Sequence, residues 1–408
     1  MSEEKLTAVQ RELLKILSCS LNGKAYEPNP DIDTALLLKE SRQQAVDLTV
    51  LDVLGKADSQ TAGKFRERAF ALLNTNLRIH SQHKEIHRLM TENNITYCIL
   101  KGSASAYYYP DMALRMMGDV DFLVKKQDLE RCYEVLRSKG FEQTEMEHIC
   151  HAVFSKGNFH CEVHREPAGV PEGKAGEIIL EYLDDIFDKS QLVKNDITEF
   201  VIPSHFHHGI IIFLHTYHHL LSEGVGLRHL CDIAVFFDKF TNEEFSEMFK
   251  EKLSKVGLWK FIQIMGAVSH KYLGIEYRAW MGNFDGEFLD AVILDIFEGG
   301  NFGVKDTNRY GQGVAISNRG KDGVKNSKII QSIHSLNKQA YSQFHFLEKV
   351  KILKPFGWIF LVIRHFFRAL TGKRHFINIP KALLKADKRK DIYKQFELFE
   401  VDGDENEH

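Results

Sequence analysis

The chain has 408 residues, 44% apolar and 27% charged, with a formal net charge of −3. Its length exceeds the ~250–300 residues at which single cores stop growing, which points to more than one domain, and the near-neutral charge argues against a nucleic-acid coat. The scattered Cys19, Cys98, Cys132, Cys150, Cys161 and Cys231 form no CxxC pair, Met1-Ser2-Glu3-Glu4-Lys5 lacks a signal-peptide core, and no run approaches the ~18 apolar residues of a membrane span, so a reduced, cytoplasmic protein is expected.

Residues up to about Glu92 read as helices, with Leu13, Leu14 and Leu17, then Phe70, Leu73 and Leu77, at helical spacing. His80, His83 and His87 share one face of the last of these, and a solvated surface is expected there. Ile95 to Leu100 is a short run rich in β-formers and predicts a strand. Gly102-Ser103 ends it, with Ser103 as the expected cap of a helix from Ala104 to Pro110. Gly118 precedes a second strand, Asp119 to Val124. Asp128 to Lys139 is an amphipathic helix closed by Gly140. His151 to Phe154 and Phe159 to His164 predict an antiparallel pair joined through Ser155-Lys156-Gly157-Asn158.

From about Ser204 the pattern is helical again. Ile210 to Leu221 and Leu230 to Phe240 are apolar helices joined at Gly224-Val225-Gly226. A glycine-rich loop is expected over 299–323, further helices over Gln331 to Val350 and Phe356 to Leu370, and a frayed acidic end from Val401 to His408. Phe356 to Leu370 mixes Trp358, Phe360, Phe366 and Phe367 with Arg364 and Arg368. It suits a helix packed on the core, with membrane-surface contact as the weaker reading.

The chemistry concentrates between Leu100 and His164. A strand sends residues i and i+2 to one face, so Asp119 and Asp121 project together. Two neighbouring carboxylates are costly to bury without a cation. In Phe159-His160-Cys161-Glu162-Val163-His164, alternation puts Glu162 on a face with His160 and His164. It is the candidate third ligand and a candidate proton acceptor. Three acids of this kind suit Mg²⁺, with Mn²⁺ as a substitute, beside the phosphates of an NTP. Gly102 and Ser103 are the candidate phosphate cradle, with Lys101 and Arg115 neutralising phosphate charge. Taken singly, a DxD is usually a turn or a solvated edge and a Gly-Ser a plain helix start. Their order along the chain is what makes the pattern informative.

That order resembles the DNA polymerase β-like nucleotidyltransferase superfamily, and within it the bacterial group called the uncharacterised nucleotidyltransferase family. The residues that carry the resemblance are Leu100-Lys101-Gly102-Ser103, Tyr109-Pro110, Arg115, Gly118-Asp119-Val120-Asp121 and the acid-x-His motif Glu162-Val163-His164, where glutamate replaces the more usual aspartate. It continues more loosely through Leu214-His215-Thr216-Tyr217-His218, Arg228-His229-Leu230-Cys231-Asp232-Ile233-Ala234 and Asn301-Phe302-Gly303, covering roughly Leu89 to Leu370. The elements read as an α+β fold with a small mixed sheet, divided into an N-terminal helical region (1–92), a catalytic core (93–200), a C-terminal helical region (201–370) and a tail (371–408), and the resemblance implies that the core is that of a nucleotidyltransferase. It also implies an enzyme moving a nucleoside monophosphate from an NTP to an acceptor hydroxyl, the acceptor being a small molecule, sugar, peptide or protein and not a nucleic acid.

Two other readings stay open. A DxD also holds the diphosphate of a sugar nucleotide in glycosyltransferases, and the same fold can serve as a non-catalytic nucleotide binder. Around the core, His205, His207, His208, His215, His218, His219 and His229 crowd two helices. His215 and His219 have the i, i+4 spacing of a zinc pair, but cleft lining by His215 and His218, joined by His164 from the core, or simple packing, is the leading expectation. Arg228 and Asp232 are also four apart, so Arg228 either pairs with Asp232 on the helix or faces the triphosphate, with Asp232 lining the cleft.

Overall fold

The computed structural model describes residues 5–144, 150–167, 169–171, 173–306, 309, 357, 359 and 389–399. It begins with four helices: α1 (Ala8–Leu21), α2 (Thr34–Gln43), α3 (Asp47–Ala57) and α4 (Ser59–Glu92). Thr7 and Gln10 form a capping box on α1, and the Asp33 carboxylate accepts from two backbone N–H groups at the start of α2. Next come β1 (Tyr97–Ile99), the single turn α5 (Ser103–Ala106), β2 (Val120–Val124), α6 (Leu129–Ser138), β3 (Glu142–Gln143), β4 (His151–Lys156), β5 (Phe159–His164) and α7 (Lys174–Leu183). A separate hairpin, β6 (Gln191–Lys194) and β7 (Glu199–Ile202), leads into α8 (His205–Leu221), α9 (Leu227–Asp238), α10 (Asn242–Phe245), α11 (Glu251–Lys255), α12 (Trp259–Leu273) and α13 (Gly286–Gly299).

The main sheet has five strands in the order β1-β2-β5-β4-β3. Only β2 and β5 run parallel; the other neighbours are antiparallel. The fold is therefore α+β, mostly helical around a mixed sheet. Alternation along the strands decides what each face meets. Ile99, Val120, Phe122, Val124, Cys161 and Val163 pack on one side against α4 and α6. Cys98, Leu100 and Leu123 turn to the other side and join a larger apolar cluster built from α1, α2, α3, α8, α9, α12 and α13. Asp121 shares the parity of Leu123, so it faces these helices.

That larger cluster draws on distant parts of the chain. Asn22 Nδ2 donates to Leu273 O (2.9 Å), and the Leu227 N–H donates to Gln44 Oε1 (3.1 Å). Buried Asp295 on α13 accepts from Arg309, from Arg389 Nε (3.0 Å) and from the Tyr393 hydroxyl (2.7 Å). Phe396 is fully buried in the same cluster, which ties 389–399 to α13 and α12.

Several expectations shift. The strand over Ile95 to Leu100 shortens to β1, and the one expected over Asp119 to Val124 begins at Val120, leaving Asp119 in the bend just before it. The hairpin strands run on to Lys156, leaving a two-residue Gly157–Asn158 turn with Gly157 at φ +57°. The helices expected from Ile210 and Leu230 begin earlier, at His205 and Leu227; Ser204 caps the first by accepting from the His207 N–H. The histidines of α4 are a correction. His80 and His83 are buried, because β7 lays Phe200 across that face, its ring 5.6 Å from His83. The loop expected from Gly299 starts differently: Gly299 ends α13, and Asn301–Gly303 is a tight turn with Phe302 at φ +53°. Helix α7 and the β6–β7 hairpin had no counterpart in the sequence reading. The helix over Gln331 to Val350, nearly all of Phe356 to Leu370, and Val401 to His408 lie outside the described residues.

Candidate active site

Parallel pairing of β2 with β5 sets Asp121 directly opposite Glu162. Opposed residues on paired strands point to the same side, and Asp119, two residues earlier, joins them. One carboxylate oxygen from each of the three lies within 4.8 Å of the others. The strands are held from behind by fully buried Val120, Phe122, Cys161 and Val163, so the acids rest on a rigid support.

Their electrostatics are uneven. Burial, reinforced by the Asp121 and Glu162 carboxylates, pushes Asp119 up to about 7. Burial acts on Asp121 in the same direction but is overcome. Lys101 Nζ lies 3.2 Å from its Oδ1, and His164 Nε2–H donates to the same oxygen at 3.1 Å, so Asp121 is held well below the usual carboxylate range. For His164, burial disfavours the charge, but the bonds to Asp121 and Glu162 outweigh it and raise its pKa. A trio of acids that keeps a proton near neutrality is short of positive charge, and a hard divalent cation with oxygen ligands suits that deficit. The donor set fits Mg²⁺.

The other candidate residues are distributed less evenly. Lys101 joins the acids. Gly102 carries φ +59° and ψ −109°, a conformation that disfavours any side chain, which explains a glycine there. Ser103 does not cap a helix: α5 is one turn long, and the buried Ser103 hydroxyl sits 3.3 Å from His80 Nδ1 and 3.4 Å from Met117 Sδ. Arg115 makes a buried two-pronged ion pair with Asp232, Nε to Oδ1 at 3.0 Å and Nη2 to Oδ2 at 2.6 Å. The Tyr109 hydroxyl donates to Asp232 Oδ1 at 2.7 Å. Asp232 thus pairs with Arg115 across the fold and not with Arg228 along α9.

Arg228 lies within electrostatic reach of Asp119. Its guanidinium reaches Met116 O at 3.4 Å and stacks 5.5 Å from the Phe302 ring, while its buried Nε has no hydrogen-bond partner. Burial and the nearby Arg115 pull its pKa down to about 10. His215 is driven well below its ordinary value by burial, then by Lys101, His219, His229 and Arg228. Its ring lies 4.4 Å from that of His219 and 5.4 Å from that of His229. His218 is exposed. Among the described residues, His215 and His219 belong to no group of three potential metal ligands.

Such a group does exist at His151, Glu162 and His164, and His151 was missed as a site residue. The signal was in the hairpin: a two-residue turn at Gly157–Asn158 sets His151 opposite His164 by counting outward. Tyr109 as a partner of Asp232 had no sequence signal, since the two are 123 residues apart.

A family model described as "Uncharacterised nucleotidyltransferase" matches residues 10–274, well over half of the chain, and the chain belongs to that family. The match starts far before Leu89, so it takes in all but the first two residues of α1 and the whole of α2 to α4, and it ends at the residue following α12. No curated protein matches the chain.

Proposed function

From membership of that family, we propose that the protein is a Mg²⁺-dependent nucleotidyltransferase of the DNA polymerase β-like superfamily. It would move a nucleoside monophosphate from an NTP to an acceptor hydroxyl and release pyrophosphate. The observation that carries this reading is the convergence of Asp119, Asp121 and Glu162 within 4.8 Å on one sheet face. When bound, divalent ions supply charge stabilisation to the attacking and leaving oxygens of an in-line displacement, a role Mn²⁺ can also fill.

The chain's own residues do the rest. Asp119 and Asp121 would hold the ions, and Glu162 would complete the ligand set and take the acceptor's proton. Lys101 and Arg228 bind phosphate oxygens, with Arg228 offering a guanidinium that lacks a partner at Nε. The Gly102–Ser103 turn presents its backbone to the phosphates, and His215 flanks them. Arg115 and Asp232 act at one remove: their ion pair fixes α9, and so Arg228, against the segment before β2. The six free cysteines support a reducing, cytoplasmic setting.

The test is pyrophosphate release from each NTP across a panel of hydroxyl acceptors, with Mg²⁺ or Mn²⁺. An active combination is expected to lose turnover in the Asp119→Ala, Asp121→Ala double variant. Turnover that survives the double substitution overturns the proposal. A preference for sugar nucleotides over NTPs in calorimetry would favour glycosyl transfer instead.

A further inference from the structure

We infer that His151, Glu162 and His164 form a second metal position that takes an imidazole-binding transition ion such as Zn²⁺ and shares Glu162 with the acidic triad. The position follows from strand register. His151 and His164 are directly opposed on β4 and β5, and Glu162, two residues before His164, lies on the same face. His151 Nε2 is 3.8 Å and His164 Nε2 3.2 Å from Glu162 Oε2, and the three ligand atoms are mutually within 4.8 Å. Zinc bonds of ~2.0–2.2 Å in tetrahedral geometry place donors roughly 3.3–3.6 Å apart. Small side-chain rotations on fixed strands therefore close the site, and His164 Nε2 releases the proton it directs at Asp121 Oδ1 when it takes the ion.

The donor set decides the ion. Two imidazoles and one carboxylate, with a fourth position open, suit Zn²⁺ or another late first-row ion, whereas Mg²⁺ takes oxygen ligands. The two positions are chemically distinct although they adjoin. Asp119 and Asp121 bring only oxygen to the triad, while His151 brings nitrogen from the strand on the far side of β5. Glu162 has two carboxylate oxygens and can serve both. Asp121 Oδ1, 3.1 Å from His164 Nε2, stands beside the open position.

The competing account is that His164 merely orients Asp121. His151 separates the two, because its imidazole pairs with Glu162, and ion binding that ignores His151 leaves only the orienting role. The experiment uses the full chain, stripped of metal, without nucleotide. Co²⁺ is added and visible absorption is followed, then Zn²⁺ is titrated in competition. The expected result is a Co²⁺ spectrum showing nitrogen ligation that Zn²⁺ abolishes. His151→Ala and His151→Asn should each weaken Zn²⁺ by roughly tenfold or more, and Asp119→Asn by less than about threefold. Circular dichroism confirms that the variants fold. The inference is overturned if both His151 variants bind Zn²⁺ like the parent, or if Asp119→Asn weakens it as much as they do. It adjoins the proposed catalytic site but needs no turnover, so absence of nucleotidyl transfer would leave these readouts intact.

Discussion

Replacing Arg115 by Met removes one half of a buried ion pair and leaves the other half in place. Arg115 and Asp232 are each only 7% exposed, and Asp232 would keep just the 2.7 Å bond from Tyr109 out of three. Stranding a buried carboxylate in this way costs about 3–5 kcal/mol. Removing both charges, as Arg115→Met with Asp232→Leu, eliminates the stranded group, and such double replacements are often close to neutral. Urea unfolding of the parent, the two single variants and the double variant completes the cycle. A coupling of at least ~2 kcal/mol is expected, with the double variant more stable than Asp232→Leu or Arg115→Met alone. If Arg115→Met unfolds like the parent while NTP binding weakens, the ion pair is not what Arg115 is for, and it returns to the role of phosphate ligand.

Burial lowers His83 from 6.5 to about 4. The unfolded chain therefore takes up a proton there between pH 6.5 and 4 while the folded chain does not. Stability present above pH 6.5 is lost as pH falls through that window, by ~3 kcal/mol at about 1.4 kcal/mol per pH unit; urea midpoints at pH 7.5 and 5 should shrink in the parent and shrink less in His83→Leu. Gly102→Ala should cost ~1–2 kcal/mol from its positive φ, since the nearest neighbour of an added Cβ is 3.7 Å away and strain, not collision, is the penalty; an unchanged unfolding curve would mean that the turn relaxes. Asp295→Ala leaves Arg309 and Arg389 without their shared carboxylate, and a loss of ~3–5 kcal/mol with faster proteolysis at 389–399 is expected.

The sheet that carries the acids was legible from the sequence because each of its signals is local. Alternation along Phe159 to His164, the Gly157–Asn158 turn, and Asp119 and Asp121 two apart all depend on residues close in the chain. The convergence of three carboxylates followed from them once β2 and β5 paired. What stayed hidden depends on tertiary partners. Nothing near Arg115 signals a carboxylate 117 residues later. Arg228 and Asp232 have the spacing of a helix pair, and only the approach of Arg115 and Tyr109 breaks it. The α4 histidines look like a polar stripe until β7 covers them. Ser103 has the chemistry of a cap, but α5 is too short to use one.

The stitching of α1 and α2 onto α12 and α9 has a consequence for biosynthesis. Asn22 and Leu273 are 251 residues apart. At ~5–20 residues per second, the partner of the first helix leaves the ribosome roughly 13–50 s after it. Helix α1, whose Leu13, Ile16 and Leu17 are fully buried in the finished protein, lacks the packing of α12 for the whole interval. The nascent chain should therefore be a client for chaperones that bind apolar helices, and translation stalled before Leu273 should yield a species that aggregates even though the strands bearing the acids are already complete.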